Sequence, residues 1–426
     1  NCASANYTNA KTTKVTVTDN GTQAADCFDE ATALVELAAG DCDDAIDCTV
    51  DVALPGLLHA SIAQCPVFGG SVRGVDSAAA QKMRGVRKVV REGSFVAVVA
   101  DSWWRANEAL KKVKIDWDPG SGATASTETV AAMLRDGLAD PKLPEARRIG
   151  NPEAALATAA KVIEAEYGSP YLNHATMEPQ TCTAWLRPEG FLEVWTSTQN
   201  AEASMAAAAE TAGLPLEKVE VHKMMLGGGF GRRGAPQDFV RQGVAIAKAL
   251  PGVPVKLMWS REEDMQHGFY RPASLVRMTA GLDTQGRVVA MHTRIACPSI
   301  LKVLVPQALR QGIDFTAVRS FTDMPYTVPN QRVDYAMRNG HVPVGFWRAP
   351  GQQNPFYREC FVDELAAAAG KDPLDFRRGM LKEGDRNRLV LEAVARAAGW
   401  GSALPPGVHR GIAMADGFGS FTAMVA

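Results

Sequence analysis

Residues 219–250, VEVHKMMLGGGFGRRGAPQDFVRQGVAIAKAL, decide how the fold of this chain is interpreted. Residues 219–226 are predicted to form a strand that leads straight into a run of four glycines in five positions. Residues 237–250 are predicted to form a helix, because Val240, Val244 and Ala247 fall on one face at helical spacing. The stretch therefore predicts a strand–turn–helix unit of an α/β fold.

The glycine run, residues 227–231, predicts an anion-binding loop. Glycines let the backbone approach a ligand closely, with N–H groups free to bind anionic oxygens. The positive end of the following helix and the charges of Arg232 and Arg233 are expected to strengthen that attraction. A glycine-rich turn without a ligand is the alternative, and the two arginines at the strand–helix junction favour the ligand.

The same residues contain a literal dinucleotide-binding fingerprint, Gly229-x-Gly231-x-x-Gly234. Phe230 and the two arginines would crowd a pyrophosphate turn, and Pro236 interrupts the start of the helix. No acidic residue lies roughly 20 positions further on, where a ribose-binding carboxylate is expected. A nicotinamide-dependent dehydrogenase therefore stays the weaker alternative.

The composition limits the function classes. The chain has 426 residues, 46% hydrophobic and 22% charged, which predicts a globular protein of two or three domains. Its 45 basic and 47 acidic residues give a formal net charge of −2, which argues against nucleic-acid binding. No window of about 18 uninterrupted apolar residues and no signal-peptide pattern is present.

The eight cysteines predict no protein-bound metal or cluster. None of their spacings is C-x-x-C or the ferredoxin C-x4-C-x2-C, so we expect neither an iron–sulfur cluster nor a zinc site in this chain. The four in the first 50 residues could form disulfides in an oxidising compartment, with the pairing open. The later four are expected to be small buried hydrophobic residues: Cys65, Cys182, Cys297 and Cys360.

Element spacing divides the chain into five predicted segments. They are an acidic, cysteine-containing segment without assigned function (1–50), a small α/β domain (51–125), a linker (126–150), a larger mixed α/β domain (151–400) and the start of a further unit (401–426). The linker is placed where polar residues accompany Pro141 and Pro144. Helix ends are predicted at Ser102 as an N-cap, at Gly370, and at Asp372 followed by Pro373.

Three polar residues outside the glycine run are candidate site residues. Glu178 precedes Pro179 and is expected off any helix, as a catalytic carboxylate or, at least equally well, as a capping or salt-bridged one. Gln199 ends a predicted strand and could donate an amide hydrogen to a bound oxo group, although spacing alone favours an ordinary strand-end amide. Arg348 precedes a Pro-Gly turn, on a loop that faces either a cleft or solvent.

These elements, in this order and spacing, resemble the molybdenum-cofactor-binding subunit of the xanthine oxidase family. The resemblance covers residues 54–426 and includes Leu54-Pro55-Gly56, the run WSREED at 259–264 and Gly370-Lys371-Asp372-Pro373. The glycine run ends in Arg-Arg rather than Gly-Lys. The chain is therefore similar to the branch that holds isoquinoline 1-oxidoreductase beta subunits, nicotinate dehydrogenase and membrane-associated aldehyde dehydrogenases.

The resemblance implies a fold and a set of cofactor contacts. The fold would be a small hammerhead-like α/β domain followed by a larger mixed α/β molybdenum-cofactor-binding domain, of whose second half residues 401–426 are only the start. The metal takes its sulfur ligands from the pterin dithiolene, so no protein metal ligand is expected. The implied cofactor-binding residues are Gln199 at an oxo ligand of molybdenum, Gly228, Gly229, Phe230 and Gly231 at the pterin and the apical oxygen, and Arg348 lining the site.

The implied cofactor is molybdopterin cytosine dinucleotide with molybdenum. The family's catalytic glutamate belongs to a Gly-Glu-Pro-Gly-type motif expected beyond Ala426, so the catalytic residue of this chain is unknown. A Glu-Met-Gly-Gln-Gly-type cofactor loop, which precedes the Leu54 region in this branch, does not occur in the first 50 residues.

The implied activity is oxidation of an aldehyde or an N-heteroaromatic substrate with water-derived oxygen. Electrons would pass to a small subunit with two [2Fe–2S] clusters, with a cytochrome c subunit as a further candidate partner. The branch implies a periplasmic or periplasm-facing, membrane-associated location, with the cytoplasm as the alternative. The competing functions are the nicotinamide-dependent dehydrogenase and a non-catalytic fragment of the same fold.

Overall fold

The structure is a computed structural model that describes residues 54–348, 351 and 353–426. Leu54–Ala426 forms one compact unit. The segment predicted for residues 1–50, with its four cysteines, lies outside the described residues.

Sixteen strands occur in the described part of the chain. They are β1 (Leu58–Gln64), β2 (Ser71–Asp76), β3 (Val86–Glu92), β4 (Phe95–Ala100), β5 (Lys114–Asp118), β6 (Glu145–Ile149), β7 (Lys161–Ser169), β8 (Thr181–Leu186), β9 (Leu192–Thr196), β10 (Val219–Lys223), β11 (Val255–Met258), β12 (Ser274–Leu282), β13 (Val288–Cys297), β14 (Gln331–Met337), β15 (Ile412–Gly417) and β16 (Ser420–Val425).

Twelve α-helices accompany them in the same residues. They are α1 (Ala78–Gln81), α2 (Trp103–Leu110), α3 (Thr127–Ala139), α4 (Pro152–Ala157), α5 (Ala201–Ala212), α6 (Asp238–Lys248), α7 (Arg261–Gln266), α8 (Ile300–Leu304), α9 (Phe315–Val318), α10 (Asn354–Ala368), α11 (Pro373–Met380) and α12 (Arg386–Ala397). Short 3₁₀ turns lie at Gly120–Thr124, Leu216–Lys218 and Pro306–Ala308.

One mixed sheet of seven strands combines β1, β3 and β4 of the predicted small domain with β8, β9, β10 and β11 of the predicted larger domain. Its order is β10-β9-β8-β11-β1-β4-β3. Every residue of β4 is buried, because both of its faces are covered. Val98 packs with Ala80 and Ala109 on the side of α1 and α2, whereas Ala97 and Val99 join the hydrophobic cluster that contains α6.

This shared sheet differs from the division into two domains predicted at residue 125. β1 of the predicted small domain pairs in parallel with β11 of the predicted larger one, with Leu58 opposite Val255. The division rests on the local alternation of strands and helices, which carries no information on pairing between strands so distant in sequence. The two predicted domains therefore share one hydrophobic core at this sheet.

A second sheet of five strands, in the order β6-β14-β13-β12-β7, lies between two layers of helices. On one face Leu134 and Leu138 of α3 pack with Ala296 and Ala336. On the other face a large hydrophobic cluster joins the strands to α10, α11 and α12. The residues predicted to form a linker, 126–150, therefore contain α3 and β6. The two leucines of α3 that face the sheet are four positions apart in an otherwise mostly polar stretch, which explains why the helix was not predicted.

Helix ends predicted from single residues are confirmed. The Ser102 side chain accepts a backbone N–H at the start of α2. Asp372 caps α11, which has Pro373 at its first position, and Gly370 follows α10 with a φ of 64°. The face of α6 predicted to be apolar is fully buried. Each of these features depends on residues a few positions apart, so it can be predicted from the local sequence.

Three of the four described cysteines, Cys65, Cys182 and Cys297, are buried free thiols, and Cys360 is partly buried. Burial raises the pKa of Cys182 to about 12, as expected for an inert thiol in an apolar core. Within the described residues, no helix combines the length and the apolar character needed to cross a bilayer.

A buried ionic cluster attaches the hairpin of β15 and β16 to this core. The Glu359 carboxylate of α10 accepts hydrogen bonds from Nε of Arg358 and from Nε of Arg377, both at 3.0 Å. The Tyr326 hydroxyl donates to the same carboxylate at 2.9 Å. Arg358 also donates through Nη2 to the carbonyl oxygen of Met414 in β15 at 3.2 Å. One carboxylate therefore joins α10, α11 and β15.

Replacing Glu359 by glutamine should strongly destabilise the protein. The change removes a negative charge shared by two fully buried arginines, and breaking a buried ion pair costs about 3–5 kcal/mol. Glu383→Gln is the control, because Glu383 is exposed and a surface change is expected within about 0.5 kcal/mol. Urea unfolding followed by circular dichroism measures both. Equal losses in the free energy of unfolding would contradict the role of the cluster.

Candidate cofactor site

The ends of three strands place the site at one edge of the seven-stranded sheet. β9 and β10 run parallel, with Thr196 opposite Lys223, so both end at the same edge. β8 runs antiparallel to β9 and therefore begins there, at Thr181. The residues that follow β9, follow β10 and precede β8 are consequently brought together, as at the carboxyl ends of strands in other α/β sheets.

The carboxamide of Gln199, which follows β9, is held in one orientation. Its Oε1 accepts the backbone N–H of Gly231 at 2.9 Å and that of Arg233 at 3.3 Å. Gln199 is exposed, and its Nε2 has no hydrogen-bond partner among the described residues. The amide N–H groups are thus available to a ligand. The implied contact with an oxo group requires such a free donor, and the role itself stays a prediction.

Three consecutive backbone N–H groups, those of Gly228, Gly229 and Phe230, also make no hydrogen bond within the part of the chain that the structure describes. Their neighbours are engaged, since the N–H of Gly227 donates to Oε2 of Glu178 at 2.8 Å. Consecutive unpaired N–H groups in a turn form a concavity that binds anionic oxygens. The glycine run therefore carries the donors that an anion-binding loop requires.

Two glycines of the run are required by contacts within the protein itself. A Cβ on Gly229 would lie 2.5 Å from Cδ of Gln199 and would push the carboxamide out of place. Gly231 has a φ of 100°, and a Cβ there would lie 1.9 Å from the carbonyl oxygen of Phe346. These glycines allow close packing of protein on protein, in addition to any approach of a ligand.

Arg232 and Arg233 do not present their charge to a ligand, contrary to expectation. They are 1% and 0% exposed. Arg232 donates through both terminal nitrogens to the Asp238 carboxylate at 2.8 Å. Asp238 is the first residue of α6, so a carboxylate of the protein already occupies the positive end of that helix. The positive end of α6 and the charges of the two arginines are therefore both paired with groups of the protein itself.

The Glu178 carboxylate is saturated with donors. Its Oε1 accepts the hydroxyls of Thr181 at 2.8 Å and Ser197 at 2.9 Å. Its Oε2 accepts the N–H of Gly227 and lies 3.2 Å from Nη2 of Arg233. Four donors thus surround this carboxylate and engage both of its oxygens. The structure favours the salt-bridged interpretation of Glu178 over the catalytic one.

The loop of Phe346 and Arg348 closes over the glycine run. His174 Nε2 donates to the carbonyl oxygen of Phe346 at 2.8 Å. The backbone N–H of Arg348 donates to the carbonyl oxygen of Phe230 at 2.7 Å. Burial lowers the pKa of His174 to about 4, so its ring is neutral at physiological pH. The Arg348 side chain is exposed, without a hydrogen bond or ion pair to any described residue. Gln199 and Arg348, distant in sequence, therefore reach the same loop.

Two residues that support the site are not singled out by sequence motifs. His174 has no assigned role in the sequence, although it ties the Phe346 loop to the segment before Glu178. Gln237 is buried with a φ of 53° and donates to the carbonyl oxygens of Arg233 at 3.1 Å and Gly234 at 2.7 Å. A glutamine where a serine or aspartate N-cap is usual was the available signal.

The dinucleotide-binding alternative finds no support in this geometry. In a dinucleotide fold the glycine turn opens the helix directly. Here α6 begins at Asp238, beyond Gly234 and Pro236. Arg232 and Arg233 are both buried, and the Arg233 side chain bonds the carbonyl oxygen of Gly228 within the glycine run. β10 is also an edge strand of the sheet, whereas the dinucleotide turn follows a central strand.

The donor set fits an oxygen-rich anionic ligand that brings its own metal ligands. Among the described residues there is no group of three or more His, Cys, Asp or Glu side chains that could hold a metal ion. The available groups are the Gln199 amide and the unpaired N–H groups of the glycine run. They suit the oxygens of the molybdenum–pterin cofactor that the resemblance implies.

Residues 138–381, more than half of the chain, match the family described as molybdopterin cofactor-binding domain. Isoquinoline 1-oxidoreductase subunit beta of Brevundimonas diminuta is 29% identical over 82% of this chain and 46% of its own length. Membrane-bound aldehyde dehydrogenase (pyrroloquinoline-quinone) of Gluconacetobacter polyoxogenes is 28% identical over 86% of this chain and 52% of its own length. The chain thus spans about half the length of these relatives.

A solved structure shares the fold. The aldehyde oxidoreductase of Desulfovibrio gigas superposes with a TM-score of 0.63 at 19% identity, over 84% of this chain and 46% of that one. At this identity the likeness shows the fold alone, and the mixed α/β class predicted from the sequence is confirmed.

Replacing Gly231 by alanine should destabilise the protein more than the left-handed backbone alone explains. The new Cβ would collide with the Phe346 carbonyl oxygen, and the loop that carries Arg348 would have to move. Gly190→Ala is the matched control, because Gly190 has a φ of 77° and its Cβ would meet nothing within 4 Å.

Both substitutions carry the left-handed penalty of about 1–2 kcal/mol. Overpacking should add about 1–3 kcal/mol in the Gly231 variant alone. Thermal unfolding of the two variants and the wild type measures the difference. Similar midpoints for the two variants would show that the Phe346 loop does not rest on Gly231.

Proposed function

Because the chain belongs to the family of molybdopterin cofactor-binding domains, we propose that it is part of the large subunit of a molybdenum hydroxylase. The substrate is an aldehyde or an N-heteroaromatic ring. The observation that carries the proposal is the set of free donors at one loop: the Gln199 amide beside three unpaired backbone N–H groups. The alternatives are a nicotinamide-dependent dehydrogenase and a non-catalytic fragment of the same fold.

The residues of the loop would bind and orient the cofactor, which is molybdopterin cytosine dinucleotide. The N–H groups of Gly228, Gly229, Phe230 and the Gln199 amide would donate to its oxygens, and Gly231 lets the Phe346 loop close behind them. When bound, the cofactor supplies a two-electron oxidation in which the oxygen comes from water. The protein binds the cofactor and holds it in one orientation.

Arg348 would line the substrate side of the site. Its backbone N–H is fixed to Phe230, while its side chain remains unpaired among the described residues and free to meet a substrate or a cofactor oxygen. A guanidinium group offers several N–H donors in one plane, which suits a carbonyl or ring substituent. The Glu178 carboxylate is already engaged by Thr181, Ser197, Gly227 and Arg233, so we do not assign it as the general base.

Metal and nucleotide analysis of the purified protein separates the three functions. We expect molybdenum near one atom per chain, together with cytidine monophosphate released by acid hydrolysis. Bound nicotinamide nucleotide without molybdenum would indicate the dehydrogenase. The absence of both molybdenum and nucleotide would indicate the non-catalytic fragment.

Gln199→Ala and Arg348→Ala should each lower turnover with little loss of stability. Removing one preorganised donor typically lowers kcat about 100-fold or more. Gln81→Ala and Arg135→Ala are the controls, because both residues are exposed and belong to other elements. Steady-state kinetics with benzaldehyde and with isoquinoline, alongside thermal unfolding, measure these effects. Unchanged turnover in both site variants would contradict the residue assignments.

The partner would be a small subunit with two [2Fe–2S] clusters, and a cytochrome c subunit is a further candidate. We place the complex in the periplasm or at the periplasmic face of a membrane. Native purification from a periplasmic extract should yield the chain together with a small iron–sulfur protein. A single chain with cluster absorbance and full turnover, or recovery from the cytoplasm alone, would contradict this arrangement.

A further inference from the structure

We propose that Arg233 is the positioning residue that sets the orientation of the Gln199 carboxamide and the shape of the glycine run. The inference rests on the proposed function, because it concerns the same loop. Arg233 is completely buried and acts through Gln199 and the backbone, without touching the cofactor.

The Arg233 guanidinium group joins the three segments that meet at the sheet edge. Its Nε donates to the carbonyl oxygen of Gly228 at 3.0 Å, and its Nη1 to that of Ser197 at 3.2 Å. Its Nη2 donates to the carbonyl oxygens of Glu178 at 2.7 Å and Pro179 at 3.1 Å. The glycine run, the end of β9 and the turn before β8 are therefore held by one side chain.

The backbone of Arg233 controls the Gln199 side chain directly. The N–H of Arg233 donates to Oε1 of Gln199, and the N–H of Gln199 donates to the carbonyl oxygen of Arg233 at 3.0 Å. A displacement of Arg233 would therefore move both ends of Gln199. Without these bonds, the carboxamide could rotate and present Oε1 in place of Nε2.

Lysine cannot reproduce these contacts. Arginine offers five donors in a rigid plane, whereas lysine offers three donors on one flexible nitrogen. Four carbonyl oxygens at three separate places require the wider group. Glu178 supplies the counter-charge at 3.2 Å from Nη2. Arg233→Lys therefore keeps the charge and removes the geometry.

Arg232 provides a matched control. It is adjacent, of the same residue type and equally buried. Its guanidinium group bonds Asp238 and lies near the rings of Phe239, Trp259 and Phe269, with no hydrogen bond to Gln199. Arg232→Lys should thus lower stability to a similar degree without turning the carboxamide.

The first test is hydrogen–deuterium exchange in the full-length protein with its partner subunit, read by mass spectrometry. The N–H of Gly231 donates to Oε1 of Gln199 and reports on the carboxamide. We expect its exchange to be about tenfold faster in Arg233→Lys and in Gln199→Ala than in the wild type. In Arg232→Lys it should change less than about twofold.

The second test is a double-mutant cycle in kcat with benzaldehyde, combined with electron paramagnetic resonance of the reduced molybdenum. Arg233→Lys should lower kcat with little change in KM and should alter the molybdenum spectrum. In the Gln199→Ala background the same change should have little further effect, a coupling of about tenfold. The cycle of Arg232→Lys with Gln199→Ala should be additive.

The outcomes separate the two proposals. Additive effects of Arg233→Lys and Gln199→Ala, with slow Gly231 exchange in the lysine variant, would overturn the role of Arg233 and leave the proposed function intact. A wild-type protein without molybdenum would overturn the proposed function, and the exchange measurement would still decide the orientation. If the Arg233→Lys variant does not fold, Glu178→Gln takes its place, because that change removes the counter-charge of Arg233. It should likewise speed the exchange of the Gly231 N–H and lower kcat.

Discussion

The site depends on the parallel pairing of β9 with β10. This pairing sends both strands to one edge of the sheet, so Gln199 and the glycine run lie within hydrogen-bond distance of each other. Its register places Val194 opposite Val221, and both contribute to the hydrophobic cluster of the sheet. A slip of one residue would turn every side chain of β10 to the other face. Burial of these valines therefore also determines where the site forms.

Polar groups at this edge fall into two sets. Glu178 and Arg233 are saturated by each other, by hydroxyls and by backbone carbonyl oxygens. The N–H groups of the glycine run and the Gln199 amide have no partner among the described residues. Gly228 is only partly buried and Phe230 is exposed, so this loop is open to solvent or to a ligand. Consecutive unpaired N–H groups in a turn can bind an anionic oxygen, and the proposed cofactor site rests on this feature.

The sequence predicted those features that depend on near neighbours. The apolar face of α6, the Ser102 cap and the position of Gln199 at a strand end required only local spacing. The inward direction of Arg233 could not be predicted, because its acceptors include the carbonyl oxygens of Ser197 and Glu178, which only the folded sheet brings near. The shared sheet escaped prediction for the same reason, since β1 pairs with the distant β11.

The backbone strain of the loop is concentrated at Phe230. This residue holds a left-handed φ of 54°, which costs about 1–2 kcal/mol for a residue with a side chain. Such strain persists where the surroundings over-determine the backbone. Here the Arg348 N–H fixes the Phe230 carbonyl oxygen, and Gly231 packs against Phe346. In this strained turn Phe230 is 42% exposed, and Gln199 and Arg348 are exposed as well. Arg232 and Arg233 are buried, so the groups of this loop that a ligand could reach are the exposed ones.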